Sequence, residues 1–138
     1  MKTSTSREAI KAILSLFLAF FCLFTADRAL ASDYDHYNPI EKDASSTGFE
    51  TLQHLNKDVC GWISLDGTKV DYPLLQSQDN VKYLDRNAFG DYTVSGSIFL
   101  DYRFNPNFTD FNTIIYGHSM ASGAMFGEIQ KFADQDFF

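Results

Sequence analysis

Four short apolar runs, at residues 60–65, 69–75, 96–101 and 113–116, limit what this chain can fold into. Each is strand length, and each is bounded by turn or loop residues. Asp66-Gly67 lies between the first two and predicts a hairpin turn. Pro73, inside the second run, suggests an edge strand or a strand end, because proline has no N–H to give to a ladder. Val81 and Leu84 stand three apart and predict a short helix over 79–87, and Asn105-Pro106 marks a loop over 103–110. Thr47-Gly48-Phe49-Glu50 fits a capping box, with Phe49, Leu52 and Leu55 following at helical spacing. Met125, Phe126, Ile129 and Phe132 have the spacing of the apolar face of a final helix. This order is not a regular βαβ alternation. It favours a mainly β chain with short helices, built as a barrel or roll, over a doubly wound sheet.

The N-terminus has a different character. Residues 12–26 form an apolar run broken only by Ser15 and Thr25, and Lys2, Arg7 and Lys11 precede it. Extended to Ala31 the run has about twenty residues, enough to cross a hydrocarbon core of roughly 30 Å, with Asp27 and Arg28 near its outer edge. Ala29-Leu30-Ala31 also resembles a signal-peptidase site, so a single-pass anchor and a signal cleaved at Ala31 both fit. Either delivers the body to the outside of the membrane, with the basic end inside. The chain thus divides into a basic cytoplasmic region (1–11), a signal-anchor or signal peptide (12–31), a polar juxtamembrane linker (32–48) and a domain (49–138).

Fourteen Phe and seven Tyr require a core and exclude a disordered chain. A net charge of −7 argues against nucleic acid as a partner, since phosphate binding needs lysine and arginine to replace counterions. The two cysteines, Cys22 and Cys60, sit in unlike contexts and are not expected to pair. No Cys/His cluster has metal-ligand spacing, and no cofactor is expected.

Residues 112–120 read Asn-Thr-Ile-Ile-Tyr-Gly-His-Ser-Met, an apolar strand running straight into a Gly-His turn. His118 is therefore a candidate general acid/base, because imidazole titrates near neutrality; a histidine merely seated in a turn is the alternative. Ser119 competes with it. Gly117-His118-Ser119-Met120-Ala121 nearly matches the Gly-x-Ser-x-Gly elbow of serine hydrolases. That elbow needs a parallel sheet, an upstream oxyanion loop and a histidine after the serine, and no histidine follows Ser119. Cys60 could form a Cys-His dyad with His118, but it opens a strand beside Gly61-Trp62-Ile63 and reads as a packing residue. Asp66, Asp71, Asp101 and Asp110 invite a calcium or general-acid reading, against which solvated turn positions are the simpler expectation. Asn107-Phe108-Thr109 matches a glycosylation sequon with nothing else to support that use.

Taken together these segments resemble class B sortases. The resemblance rests on Cys60-Gly61-Trp62-Ile63, Val70-Asp71-Tyr72-Pro73-Leu74, Tyr83-Leu84, residues 96–101, residues 112–120 and Met125-Phe126-Gly127, in that order over about 49–138. It implies a membrane-anchored cysteine transpeptidase of Gram-positive cell surfaces, built as a β-barrel, here in part. Such an enzyme cleaves a C-terminal sorting signal on a secreted protein and joins that protein to an amine of a peptidoglycan precursor or a pilin. The resemblance carries the general acid/base role to His118. It sets the family's nucleophilic cysteine and its arginine on strands after the histidine, so neither Cys60 nor Arg103 inherits those roles. On this reading the 138-residue chain has the histidine without its partners. It is expected to be inactive by itself and, with apolar strand edges open, prone to aggregate. An exported serine hydrolase using Ser119 and a non-catalytic, membrane-tethered sortase remnant are the alternatives.

Overall fold

The computed structural model describes residues 34–39 and 47–137. The regions 1–11 and 12–31 lie outside them. Among the described residues no helix is long and apolar enough to cross a membrane.

Helix α1, Thr47–Leu55, forms where the spacing of apolar residues predicts it. Leu52 is buried and Phe49 packs against the core, whereas Leu55 is exposed, so the buried face is narrower than the sequence suggests. Asn56 ends the helix and ties it to the body. Its side-chain amide donates to the Tyr83 hydroxyl (3.0 Å) and to the Ala88 carbonyl (2.8 Å).

Strands β1 (Val59–Ser64) and β2 (Asp71–Leu75) pair antiparallel, with a register irregularity between Val59 and Gly61. The expected Asp66-Gly67 turn joins them, and Gly67 takes a φ of 74° that favours glycine. Strand β3 (Ile98–Leu100) then pairs parallel to β2, and β4 (Ile115–Tyr116) pairs antiparallel to β3. The order is β1-β2-β3-β4 in one open sheet.

Pro73 departs from expectation. It lies buried within β2, which has neighbours on both sides. The sheet tolerates it because pairing with β3 begins at Leu74, one residue beyond the proline. The parallel β2–β3 pair was also not anticipated. It needs the long crossover at 76–97, which holds a 3-10 turn, Lys82–Leu84. Within that turn Tyr83 is buried while Val81 and Leu84 are exposed, the reverse of the apolar spacing read from sequence. The burial follows from polar anchoring as well as packing, since the Tyr83 hydroxyl donates to Asp58 (2.8 Å).

The expected final helix over 125–132 does not form. Met125 is in the left-handed region (φ 52°) and Gly123 precedes it at 87°, so no α-helix can run through them. Instead the chain makes 3-10 turns at Ile129–Ala133 and Gln135–Phe137. These return over the β1–β2 turn, where Lys131 Nζ donates to the Gly67 carbonyl (3.2 Å) and Glu128 accepts from the Lys69 N–H (2.8 Å). Met125 itself is buried with Val59, Tyr72, Leu74, Leu75, Ile98 and Phe99 in the core. Residues 34–39, in the region read as linker, also dock on the domain. The Ala88 N–H donates to the Tyr34 hydroxyl (3.1 Å), and the Asn38 amide donates to Asp71 (2.7 Å).

Candidate active site

The Gly-His turn leaves the end of β4 at one edge of the sheet. Gly117 is required there by crowding. A Cβ at this position would lie 2.8 Å from the Phe126 ring and 3.2 Å from Ile98. The close approach also lets the Phe126 N–H donate to the His118 carbonyl (2.8 Å), which fixes the backbone at the histidine. The His118 side chain is half-buried, and no described residue hydrogen-bonds its ring. It lines a cavity of about 130 Å³ with Tyr83, Leu84, Ser97, Phe99, Tyr116 and Gly117. The walls are mainly apolar, so the imidazole faces a small, partly dry hollow. A larger, open hollow of about 500 Å³ follows the 119–130 turn and does not include His118. It is a solvent trough, and the smaller cavity is the better candidate because it holds the titratable ring.

Behind the cavity lies Asp101, at the end of β3 and fully buried. Five donors reach its carboxylate. Arg103 supplies its N–H (2.9 Å), Nε (2.9 Å) and Nη2 (2.7 Å). Asn80 Nδ2 (3.0 Å) and the Tyr116 hydroxyl (3.1 Å) complete the set. The Arg103 guanidinium first, with the other donors, holds this carboxyl well below the usual carboxylate range against the opposing effect of burial. Arg103 is correspondingly held in its charged form.

No family model matches the chain. Individual proteins do. Sortase B of Listeria monocytogenes is 46% identical over 104 residues, covering 70% of this chain and 42% of that protein. The solved sortase B of Bacillus anthracis aligns at 37% identity with a TM-score of 0.72, over 86% of this chain and 58% of that one. A Staphylococcus aureus sortase B–substrate complex aligns at 34% identity and a TM-score of 0.61, over 83% and 50%. The chain matches the class B sortases. It spans about half, or less, of the length of the curated relatives it matches.

With that sortase match in hand, the competing residues fall into place by position. Cys60 is on β1 and His118 follows β4, three strand spacings away, or about 14 Å. The Cys60 thiol donates to the Leu74 carbonyl (3.4 Å), and burial pushes it up to about 11 from an ordinary 9.0. A thiol so held is neutral at physiological pH and makes no dyad with His118. Ser119 is exposed, and β4 is antiparallel to its neighbour β3. A bridge from Ser119 to Met125 makes a tight turn where a nucleophile elbow would need a helix. The elbow geometry is not formed.

The four aspartates do not behave alike. Asp66 is exposed, as expected of a turn residue. Asp71 accepts from Trp62 Nε1 (2.7 Å) and Asn38, and Asp110 accepts from the Asn105 N–H (2.6 Å), so both are structural. Asp101 corrects the expectation of a solvated position. The signal for it was available, since Ile-Phe-Leu-Asp ends a strand two residues before an arginine. Arg103 is bound to that carboxylate and half-open to solvent, so it is a structural partner on this surface. No group of three or more potential metal ligands occurs among the described residues. Phe108 of the sequon takes a φ of 56° in an exposed loop.

Proposed function

We propose that this chain supplies the histidine-bearing part of a sortase-type cysteine transpeptidase. His118 would act as the general acid/base. It would protonate the amine that leaves when a sorting signal is cleaved, then take a proton from the amine that attacks the thioacyl intermediate. The observation that carries this reading is the His118 ring, unpaired among the described residues, in a small apolar cavity of a sortase-like sheet. The substrate is a secreted protein with a C-terminal sorting signal. The acceptor is an amine of a peptidoglycan precursor or a pilin. Residues 12–31 would hold the domain at the outer face of the membrane, or export it after cleavage at Ala31.

The chain by itself would bind but not turn over such a peptide, because its described cysteine is a half-buried, neutral thiol remote from His118. The test is cleavage of a fluorogenic sorting-signal peptide by the full chain, with Cys60→Ala and His118→Ala variants. No turnover is expected from any of them. Turnover that Cys60→Ala abolishes would overturn the assignment and make Cys60 the nucleophile. Labelling of Ser119 by a fluorophosphonate would favour the hydrolase alternative instead.

A further inference from the structure

Asp101 has no part in the chemistry just proposed, yet it is the most heavily bonded side chain near it. A carboxylate is costly to bury, and this one receives five donors. Four of the five come from its own loop or the crossover, from Arg103 and Asn80. Those would suffice to satisfy it as a strand-end anchor. The fifth, the Tyr116 hydroxyl, comes from β4, the strand that delivers His118.

Tyr116 is fixed in two further ways. Its ring packs on Phe99 at 5.4 Å between centroids, and its residue pairs with Phe99 across the ladder. Its neighbour Ile115 pairs with Leu100, and the Ile114 carbonyl accepts from the Asp101 N–H (3.0 Å). Tyr116 and His118 are two residues apart, and both line the same cavity. The tyrosine ring is therefore a wall of the cavity that contains the imidazole, and the hydroxyl at its far end is clamped by a buried anion.

We propose that Asp101 and Tyr116 form a positioning pair for His118, in which the buried carboxylate holds the tyrosine and the tyrosine holds the imidazole side of the cavity. Neither touches the reacting atoms. Arg103 neutralises the anion from the solvent side, and Asn80 orients it by donating from the crossover while accepting the Tyr102 N–H (3.0 Å). The inference rests on the reading of His118 as the acid/base, but its test does not need catalysis.

The experiment uses the full chain with isotope-labelled histidine, followed by NMR of the ring carbons and protons. The chain has three histidines, and His36 and His54 serve as internal references. Tyr116→Phe removes only the hydroxyl from a partly exposed ring. Its His118 ring signals are expected to shift or broaden, with His36 and His54 unchanged. Asp101→Asn, which keeps the shape and loses the charge, is expected to give the same signature. Unchanged His118 signals in both variants would overturn the pair. So would equal movement of all three histidines, since that marks loss of fold and not positioning. Sorting-signal peptide is then added to the unaltered chain. A peptide that never perturbs His118 would overturn the functional reading while leaving the pair standing.

Discussion

The two edges of the sheet carry the two residues that a sequence reader would join into a dyad, and they treat them oppositely. At the β1 edge Cys60 is packed, its thiol bonded to a carbonyl of the neighbouring strand. At the β4 edge the His118 ring stands against a cavity, and the hydrogen bonding has moved one layer back, to Asp101 and Tyr116. The same sheet thus holds the thiol at one edge in a packed, neutral state and leaves an imidazole facing a cavity at the other. Residue type alone does not mark a site; the local supply of partners and solvent does.

The glycines offer the largest test of that contrast. Gly117→Ala at the β4 edge forces a Cβ against Phe126 and Ile98, and should cost about 1–3 kcal/mol in urea denaturation. Gly61→Ala at the β1 edge meets only ordinary contact with Phe108 at 3.4 Å. It should be neutral or stabilising by up to about 0.5–1 kcal/mol, through reduced freedom of the unfolded chain. Equal costs at the two sites would remove the distinction.

Thiol reactivity sharpens the comparison kinetically. In a Cys22→Ser background at pH 8, folded Cys60 should alkylate about 10- to 100-fold more slowly than in urea, because its thiolate fraction is suppressed. Stopped alkylation with mass-spectrometric readout measures it, and equal rates would mean a reactive cysteine.

A smaller effect follows from linkage. The unfolded thiol loses its proton near 9.0, whereas the folded one holds it to about 11. The unfolded state therefore binds fewer protons between these values. Stability should be full below about pH 9 and decline towards pH 11. Urea midpoints at pH 8 and 10.5 should fall further for Cys60 than for Cys60→Ser. An equal decline in both would assign the loss to other groups.

Much of this contrast was legible in the sequence. The strands at 59–64, 71–75, 98–100 and 115–116 lie within or beside apolar runs, because hydrophobic patterning is a local property. His118 was legible because a strand followed by Gly-His states its own geometry. The parallel pairing of β2 with β3 was not, since it depends on how the 76–97 crossover packs. Val81 and Leu84 misled because a 3-10 turn stacks residues three apart on one side, here towards solvent, and leaves Tyr83 to the core. The helix expected from Met125 failed on a backbone angle that spacing does not encode. For Asp101 the nearby Arg103 was legible, but the donors from Asn80 and Tyr116, distant in sequence and adjacent only in the fold, were not.

The central claim, that the β4 edge and not the β1 edge is the functional one, is tested most directly by adding a sorting-signal peptide to the histidine-labelled full chain. The account predicts saturable movement of the His118 ring signals with His36 and His54 still, and no change in Cys60 alkylation. Protection of Cys60 from alkylation by the peptide, with His118 unmoved, would contradict it.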